Sequence, residues 1–490
     1  MRTNLTNYAT TQFRVLANDQ IEQIFLAALE IIEGTGSRIL ENEAKELLKK
    51  AGAVLQGDIA RIPSSLVKEM LGYVPERIAL GNRNGQRTMV LESHRIYYGT
   101  GSDCPFIYDA QSGARRLFRK QDAEEAARLV DACENLDFHM SLGLVSDVPT
   151  YSYDRHQAAA MLRNTVKPLC LTAMSRAGLA DIVEMYYLLR GARDAFEVNP
   201  GFIAYLEPTT PLLHSKAALE KLIFAAERRI PAIYTPCPML GATAPATLAG
   251  ALALAVAEFL VGLVIAQLKR QGAPLLMGGV ISPVDMRSMV LTYGSPELHL
   301  LSGALTDIAH WLKIPVFSTA GCSDSKVFDQ QAAAEAALSI MAAGLSGANL
   351  IHDVGFLESA LIASPEMVVL SNEIIGMVKR FLAGVQVNEE TLALDVIKEV
   401  GPGGNFLAHE HTAEHFRSEF FFPALMDRNR FEIWQKAGSR DMGARVRGRV
   451  ADILSSHKVP PLPEKVEAGI SKILAAADKK ASADQTSLVA

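Results

Sequence analysis

The sequence predicts an α/β fold, namely a (β/α)8 barrel with an N-terminal helical cap and a C-terminal helical extension. Two observations support this prediction. From Ile96 to Leu382, short apolar runs alternate with helical segments, as parallel strands and their crossover helices do. Most of these runs end in polar or aromatic residues, and the carboxyl ends of parallel strands are where barrel and doubly wound enzymes keep their active sites.

The overall composition argues against several classes of partner. The chain has 490 residues and a formal net charge of −6, which argues against nucleic acid or an anionic membrane as a partner. Its N-terminus lacks the apolar core of a signal peptide. The 5 cysteines lie far apart and form no CxxC pair, so we expect a reducing, cytoplasmic location and no disulfide framework.

The first 92 residues are expected to form the helical cap. Residues 19–36 carry apolar side chains at helical spacing and end at a glycine. Two further helices are predicted at 42–51 and 63–71. The segments 88–99 and 104–118 then have the composition of strands, and Gln-Ser-Gly in the second provides turn chemistry.

The barrel itself is expected to occupy residues 93–385. Its strands are predicted to begin near Ile96, Phe138, Pro168, Phe202, Pro231, Pro274, Pro315 and Ala348. Helices are predicted after the strands at 121–135, 153–164, 177–190, 214–229, 244–271, 295–312, 330–344 and 365–382, and the last of these closes the ring. The apolar stretch 248–268 is long enough to cross a membrane, but Glu258 within it and its Ala and Gly content favour a buried barrel helix.

An open, doubly wound sheet is the alternative architecture. It should carry a Gly-rich phosphate loop after its first strand, and the sequence GTGSDC at 99–104 is not a GxGxxG motif. After the barrel, residues 386–476 are predicted to be helical, with a loop at 401–406. The polar, small residues at 477–490 are expected to form a disordered tail.

Candidate substrate-binding residues lie at or after the strand ends. They are Tyr98, Tyr205, Glu207, Asp324, His352 and Asp353, and Tyr234 and Phe356 add to the aromatic inventory. Aromatic faces with carboxylates at a distance suit a quaternary ammonium ion, which has no N–H to donate. His352 would then hold a carboxylate at the other end of the ligand.

These candidates also have structural interpretations. The tyrosines can pack the barrel mouth without touching a ligand, and His352 can be a satisfied core residue. Glu207 is followed by a proline that braces its loop, but it can also cap the next helix. Asp329 can act as the N-terminal cap of the helix after the seventh strand. This structural role accounts less well for the presence of Asp324.

No metal site is predicted. His411 and His415 stand four residues apart and could bind zinc from one helix face, but the run HEHTAEH contains no HExxH motif. We interpret it as a polar interface or a helix cap. Cys104, Cys237 and Cys322 follow strand ends and form the alternative thiolate set, which we also do not favour.

Several segments of the chain resemble the trimethylamine methyltransferase (MttB) superfamily. They are SDSKVFDQQAAAEA (323–336), GANLIHDVGFLES (347–359), SNEIIGMVKRFL (371–382) and the C-terminal run GPGGNFLAHEHTAEHFRSEFFFPALMDRNRFEIW (401–434). The resemblance covers nearly the whole chain, and the C-terminal run is the specific part. It implies a TIM barrel that moves a methyl group from a methylated amine to the Co(I) of a cobalamin carried by a separate corrinoid protein.

The resemblance also bears on the substrate. The trimethylamine branch of the family carries pyrrolysine inside the barrel, whereas this sequence has only standard residues there. It therefore resembles the non-pyrrolysine branch, which demethylates quaternary amines such as glycine betaine, proline betaine, carnitine or γ-butyrobetaine. No catalytic residue is carried over from the family, and the six candidates above come from the strand-end argument alone.

The reaction implied by the resemblance requires no nucleophile from the protein. Co(I) is itself the nucleophile, and a quaternary nitrogen leaves as a neutral amine without protonation, so the protein has to orient and desolvate the substrate. No catalytic triad is found, which agrees with this. Three alternative functions remain open. They are a methyltransferase with another methyl acceptor such as tetrahydrofolate, a non-catalytic betaine-binding or corrinoid-docking protein, and a zinc-dependent methyltransferase. The helical extensions allow a homo-oligomer.

Overall fold

The structure, a computed structural model, describes residues 12–109 and 112–489, with side chains described as far as residue 481. Residues 1–11 of the expected cap, Gln111 of the expected turn and Ala490 of the expected tail lie outside the described residues. Helices occupy Asn18–Glu30, Ile31–Thr35 (a π turn), Asn42–Lys50, Ser64–Leu71, Lys120–Ala132, Thr150–Ser152 (3-10), Tyr153–Asn164, Arg176–Arg190, Arg193–Val198, Lys216–Glu227, Leu248–Lys269, Pro296–Trp311, Gln330–Ser346, Pro365–Leu382, Glu389–Leu392, Leu394–Val400, Glu410–Glu419, Phe431–Lys436, Met442–Ser456 and Glu464–Val489.

A closed ring of parallel strands forms the centre of the molecule. In chain order the strands are β1 (Tyr97–Thr100), β2 (residues 138–139), β3 (Leu169–Leu171), β4 (Phe202–Leu206), β5 (Ala232–Tyr234), β6 (Leu275–Met277), β7 (Phe317–Thr319) and β8 (Leu350–Val354). Ladders join β3 to β4, β4 to β5, β5 to β6, β7 to β8 and β8 to β1, all parallel. Single parallel bridges complete the ring from β1 through β2 to β3 and from β6 to β7.

A helix follows each strand, so the predicted (β/α)8 barrel is confirmed. Its strands are buried apolar runs, as strands covered by helices on the outside must be. Short strands outside the ring occupy Ser37–Ile39, Val54–Gln56, Ile59–Arg61, Ile78–Gly81, Arg87–Leu91, Phe106–Tyr108, Arg115–Leu117, Leu213–His214, Met239–Leu240, Ser282–Asp285, Val290–Leu291, Phe356–Leu357 and Ile362–Ala363. Several of them belong to the cap, which therefore contains the three predicted helices but is not purely helical.

The interior of the barrel divides into an apolar lower part and a polar upper part. Alternate residues of the strands point inward, and those nearer the amino ends form one apolar cluster with the hairpin Ile78–Leu91. The hairpin lies across the amino end, because the backbone N–H of Gly81 donates to Pro200 O just before β4. Since this end is plugged, the carboxyl end is the entrance to the barrel.

The long apolar helix Leu248–Lys269 packs inside the protein. By length and composition alone it could cross a membrane, but 83% of its apolar window is buried, against the cap helices and the neighbouring barrel helices. Among the described residues it is the one helix of this kind. Its interpretation as a buried barrel helix agrees with these contacts.

The last helix corrects one expectation. The residues from 477 onward were expected to be disordered, yet the helix Glu464–Val489 continues through them. The small residues Ala477 and Ala481 are buried, and the Asp478 carboxylate accepts hydrogen bonds from Ser152 Oγ (2.6 Å) and His156 Nε2 (2.9 Å). As far as residue 481, the small residues of this segment therefore pack against the barrel helices.

Glu258 fixes the loop that leaves β4. Its side chain is fully buried in the long helix, where its carboxylate accepts hydrogen bonds from Leu212 N (2.6 Å) and Thr210 Oγ1 (2.8 Å). Burial raises the pKa of Glu258 to about 7, and the two hydrogen bonds oppose this shift. The loop begins at Glu207, so this buried acid positions one edge of the barrel entrance.

Replacement of Glu258 by glutamine tests this contact through its pH dependence. A carboxyl whose folded pKa is raised from 4.5 to about 7 costs stability once it ionises, so the wild type loses about 3 kcal/mol relative to Glu258→Gln as the pH rises from 4.5 to 8. Denaturant unfolding across this range measures the difference. The exposed Glu22→Gln serves as control, and a difference that does not vary with pH would contradict the assignment.

Candidate functional site

A concave acidic site lies at the carboxyl end of the barrel. Three carboxylates come together there from different strands, Asp103 after β1, Glu207 after β4 and Asp353 in β8, and each of the other two raises the pKa of Asp103. Asp103 and Glu207 remain accessible to water although protein surrounds the site. The site therefore presents negative charge at the entrance of the barrel.

Aromatic rings line the cavity beside the carboxylates. Tyr205 lies 5.6 Å from Phe317 and 6.2 Å from His352, measured between ring centroids, and Phe317 and His352 are 3.9 Å apart. Tyr293 and Phe356 form an edge-to-face pair at 6.4 Å nearby. Faces of this kind attract a cation through the ring quadrupole.

His352 and Asp353 form a buried, hydrogen-bonded pair. His352 Nδ1 donates to Ser318 O at 2.9 Å, and its Nε2 lies 3.0 Å from Asp353 Oδ1. Thr319 Oγ1 donates to the other oxygen of Asp353. Burial raises the pKa of the Asp353 carboxyl, whereas His352 and Thr319 lower it. Both nitrogens of His352 are thus committed to protein groups, and the expected role of His352 as carboxylate anchor lacks a free donor.

Tyr205 and Glu207 act as a unit on β4. The Tyr205 hydroxyl donates to Glu207 Oε1, and Cys237 Sγ lies 3.8 Å from the same oxygen. Burial and the Glu207 charge raise the pKa of the Tyr205 hydroxyl well above its usual range. The tyrosine therefore stays neutral, and its hydroxyl holds one oxygen of the Glu207 carboxylate.

Asp103 is a site residue that the sequence argument missed. Its backbone lies in the left-handed region at φ 72°, which is unusual for a residue with a side chain and is often found at functional positions. Burial raises the pKa of Asp103 to about 6, and a hydrogen bond from Ser102 opposes this shift. The acidic residue three positions after β1 was the available indication, because GTGSDC was assessed only as a phosphate loop.

The thiols at the entrance are not activated nucleophiles. Burial raises the pKa of the Cys104, Cys237 and Cys322 thiols well above the usual range, and nearby carboxylates raise the pKa further. All five cysteines of the chain are unpaired. Together with the protonated Tyr205 hydroxyl, the site offers binding groups instead of a protein nucleophile.

Two of the predicted aromatic residues do not line the cavity. Tyr98 points out of the ring, where its hydroxyl donates to Ile340 O (2.8 Å) on a barrel helix. Tyr234 also points outward and stacks on His214. Both side chains follow from the alternation of a strand, which sends every second residue to the outer face. The expectation that Tyr98 binds substrate is therefore corrected.

Asp324 closes two loops instead of facing a ligand. Its two oxygens accept hydrogen bonds from the backbone N–H groups of Tyr293 (2.7 Å) and Gly294 (2.9 Å), and Ser359 Oγ donates to it at 2.8 Å. Asp324 thereby supports Tyr293, which does line the cavity. Its expected role as a direct substrate contact is not supported by this geometry.

The histidine run lies on one helix and at its N-terminal cap. His411 and His415 lie 4.2 Å apart, measured between ring centroids, on the helix Glu410–Glu419. His409 accepts from the N–H of His411 and so caps this helix, as expected for a cap. Across the described parts of the chain, no group of three or more His, Cys, Asp or Glu side chains has the geometry to hold a metal.

Comparison with known proteins gives a family. The family model described as trimethylamine methyltransferase (MTTB) matches residues 2–482. Glycine betaine methyltransferase of Desulfitobacterium hafniense (strain Y51) is 31% identical over 473 residues, which cover 96% of this chain and 98% of that protein. Trimethylamine methyltransferase MttB1 of Methanosarcina mazei is 31% identical, with 96% of each chain covered.

A solved structure also overlaps the chain along its length. The monomethylamine methyltransferase MtmB of Methanosarcina barkeri covers 98% of this chain, with 97% of its own length, at 12% identity and a TM-score of 0.46.

Replacement of Gly101 by alanine tests the packing beneath the site. A Cβ at this position would lie within 2.5 Å of Asp353 Oδ1 and would also overlap the ring of Phe356. We expect the overpacking to lower the free energy of unfolding by about 1–3 kcal/mol. Gly448→Ala, a helical position with open space around it, is the control and should leave stability unchanged or higher. Equal stability of Gly101→Ala and wild type would contradict the described packing.

Proposed function

The chain belongs to the trimethylamine methyltransferase (MttB) family and is a methyltransferase, and we propose that it demethylates a quaternary amine of the betaine type. The methyl group passes to the Co(I) of a cobalamin carried by a separate corrinoid protein. Support for the substrate comes from the cavity chemistry and from the relative named glycine betaine methyltransferase. The proposal also includes a reducing, cytoplasmic location, in line with five unpaired cysteines.

The observation that carries the proposal is the pairing of carboxylates with aromatic faces in one cavity. Asp103, Glu207 and Asp353 supply negative charge, and the partly exposed Tyr205 supplies a ring face. A trimethylammonium group has a diffuse positive charge and no N–H, so it is held by faces and by carboxylates at a distance instead of by directed hydrogen bonds. The cavity matches these requirements.

The absence of a protein nucleophile from the set of cavity residues agrees with the reaction. When bound at the entrance, Co(I) supplies the nucleophile that takes the methyl group, and the amine keeps the electron pair of the broken C–N bond. No general acid is needed, because the leaving amine is neutral. The protein has to hold the cation, exclude water around it and aim one methyl group outward.

The entrance is compatible with an acceptor that arrives from outside. Asp103 and Glu207 are both exposed to solvent at the carboxyl end, whereas the amino end is closed by the hairpin Ile78–Leu91. A methyl group held against Tyr205 therefore faces the open side of the barrel. Cobalamin on a partner protein has to approach from this side.

A direct assay tests the proposed reaction. The purified chain is mixed with chemically reduced cobalamin and, in separate reactions, glycine betaine, carnitine, choline or trimethylamine, and the Co(I) absorption is followed together with the demethylated amine. We expect loss of Co(I) absorption with equimolar dimethylglycine when glycine betaine is present. Turnover with trimethylamine alone would contradict the proposed substrate class, and turnover with none of the amines would contradict the proposed function.

Replacement of Tyr205 by leucine tests the cation-binding face. Loss of the ring should cost about 0.5–2 kcal/mol of glycine betaine affinity, the range of a cation–π contact. Titration calorimetry measures this value, and 3,3-dimethylbutanoate, in which carbon replaces the charged nitrogen, is the matched ligand that lacks the positive charge. An equally large loss for that ligand would show that Tyr205 contributes packing and not attraction of the charge.

A further inference from the structure

We propose that Lys221, together with the hydroxyls of Thr172 and Thr235, forms a carboxylate subsite beside the cation-binding cavity. The inference rests on the proposed function and deepens it, because it makes the preferred substrate a zwitterion with a carboxylate close to the ammonium group. In this proposal Lys221 takes the role of carboxylate anchor that was expected of His352, because both nitrogens of His352 already contact Ser318 and Asp353.

Lys221 brings a positive charge to the acidic entrance. It extends from the helix Lys216–Glu227 over the end of β3, where Nζ donates to Ala173 O at 2.6 Å. The side chain is partly buried, and it lies close enough to Glu207, Asp154 and Asp103 for their charges to act on it. An ammonium group has three N–H donors, and one of them is used by Ala173.

Two threonine hydroxyls, on the strands that flank β4, have no hydrogen-bond partner among the residues that the structure describes. Thr172 Oγ1 and Thr235 Oγ1 are shielded from solvent and make no hydrogen bond, and Thr235 is fully buried. Buried hydroxyl groups are normally paired, so each of these two indicates a polar group that is supplied from outside the protein.

The register of the strands places both hydroxyls around Tyr205 and Glu207. Ala204 pairs with Leu171 of β3, so Thr172 stands beside Tyr205, one residue further along. Leu206 pairs with Tyr234 of β5, which puts Thr235 beside Glu207. Thr172 comes two residues after Cys170, and Thr235 comes two residues after Ile233. Cys170 and Ile233 point into the barrel interior, so the alternation of a strand directs both threonines to the same side. One unused donor thus stands beside Tyr205, and the other stands beside Glu207 on the opposite side of β4.

The charges around Lys221 favour a zwitterion over a simple anion or cation. A free carboxylate would meet repulsion from Asp103 and Glu207, and a simple cation would leave the threonine hydroxyls unpaired. A betaine satisfies both sets at once, because its ammonium group faces the acids while its carboxylate accepts from Lys221 and the hydroxyls. The structural alternative is that Lys221 merely neutralises the neighbouring carboxylates.

Binding measurements on the full chain separate these alternatives without any methyl transfer. Glycine betaine and tetramethylammonium, which has the cation but no carboxylate, are titrated calorimetrically into wild type, Lys221→Met, Lys221→Arg and Thr172→Val. Lys216→Met is the control, since Lys216 lies on the same helix but is exposed and pairs with Glu220. We expect Lys221→Met to weaken glycine betaine by about tenfold to a hundredfold, the range of a charge-assisted hydrogen bond.

The expected pattern is selective for the carboxylate. Tetramethylammonium binding should stay within about twofold in Lys221→Met, Lys221→Arg should regain part of the betaine affinity, and Lys216→Met should match wild type. Equal losses for both ligands would overturn the subsite, and tighter tetramethylammonium binding with unchanged glycine betaine binding would leave Lys221 as a neutralising group. If Lys221→Met does not fold, Thr172→Val decides in the same way, through weaker betaine and unchanged tetramethylammonium binding. A wild type that binds neither ligand would instead overturn the proposed function itself.

Discussion

Closure of the eight-strand ring is the constraint on which the rest of the structure depends. Each strand end is fixed by pairing with both neighbours, so Asp103, Tyr205, Glu207 and Asp353, which are far apart in sequence, arrive at one entrance. The hairpin Ile78–Leu91 fills the other end with apolar side chains. A ring plugged on one side leaves a single face where polar groups and a ligand can meet.

Electrostatic strain is concentrated at this entrance and is compensated locally. Burial raises the pKa of Asp353, and Thr319 and His352 counter it with hydrogen bonds or charge. Burial also raises the pKa of Glu258, and hydrogen bonds from the loop after Glu207 oppose this shift. These carboxylates are costly for the fold, and their cost is understandable when the cavity has to attract a cation.

The sequence was a good guide to the fold and a partial guide to the site. Alternating apolar runs and helical segments gave all eight barrel helices and the positions of the strands, because burial on both faces leaves a clear pattern in a parallel strand. Tyr205, Glu207 and Asp353 were found at strand ends for the same reason. Tyr98 and Tyr234 were misplaced because the direction of a side chain depends on strand parity relative to the barrel axis, and short strands carry too few residues to set that parity.

What the chain alone determined is the architecture, the family and the kind of residue found at each strand end, since these follow from periodicity and from recognisable motifs. Only the tertiary structure decided which of those residues meet. It committed both nitrogens of His352 to the protein, assigned Asp324 to a loop contact, and brought Lys221 and two unpaired threonine hydroxyls next to the acids. The physical reason is that hydrogen-bond partners and local charge are set by distances across the ring, and linear spacing along the chain does not contain those distances.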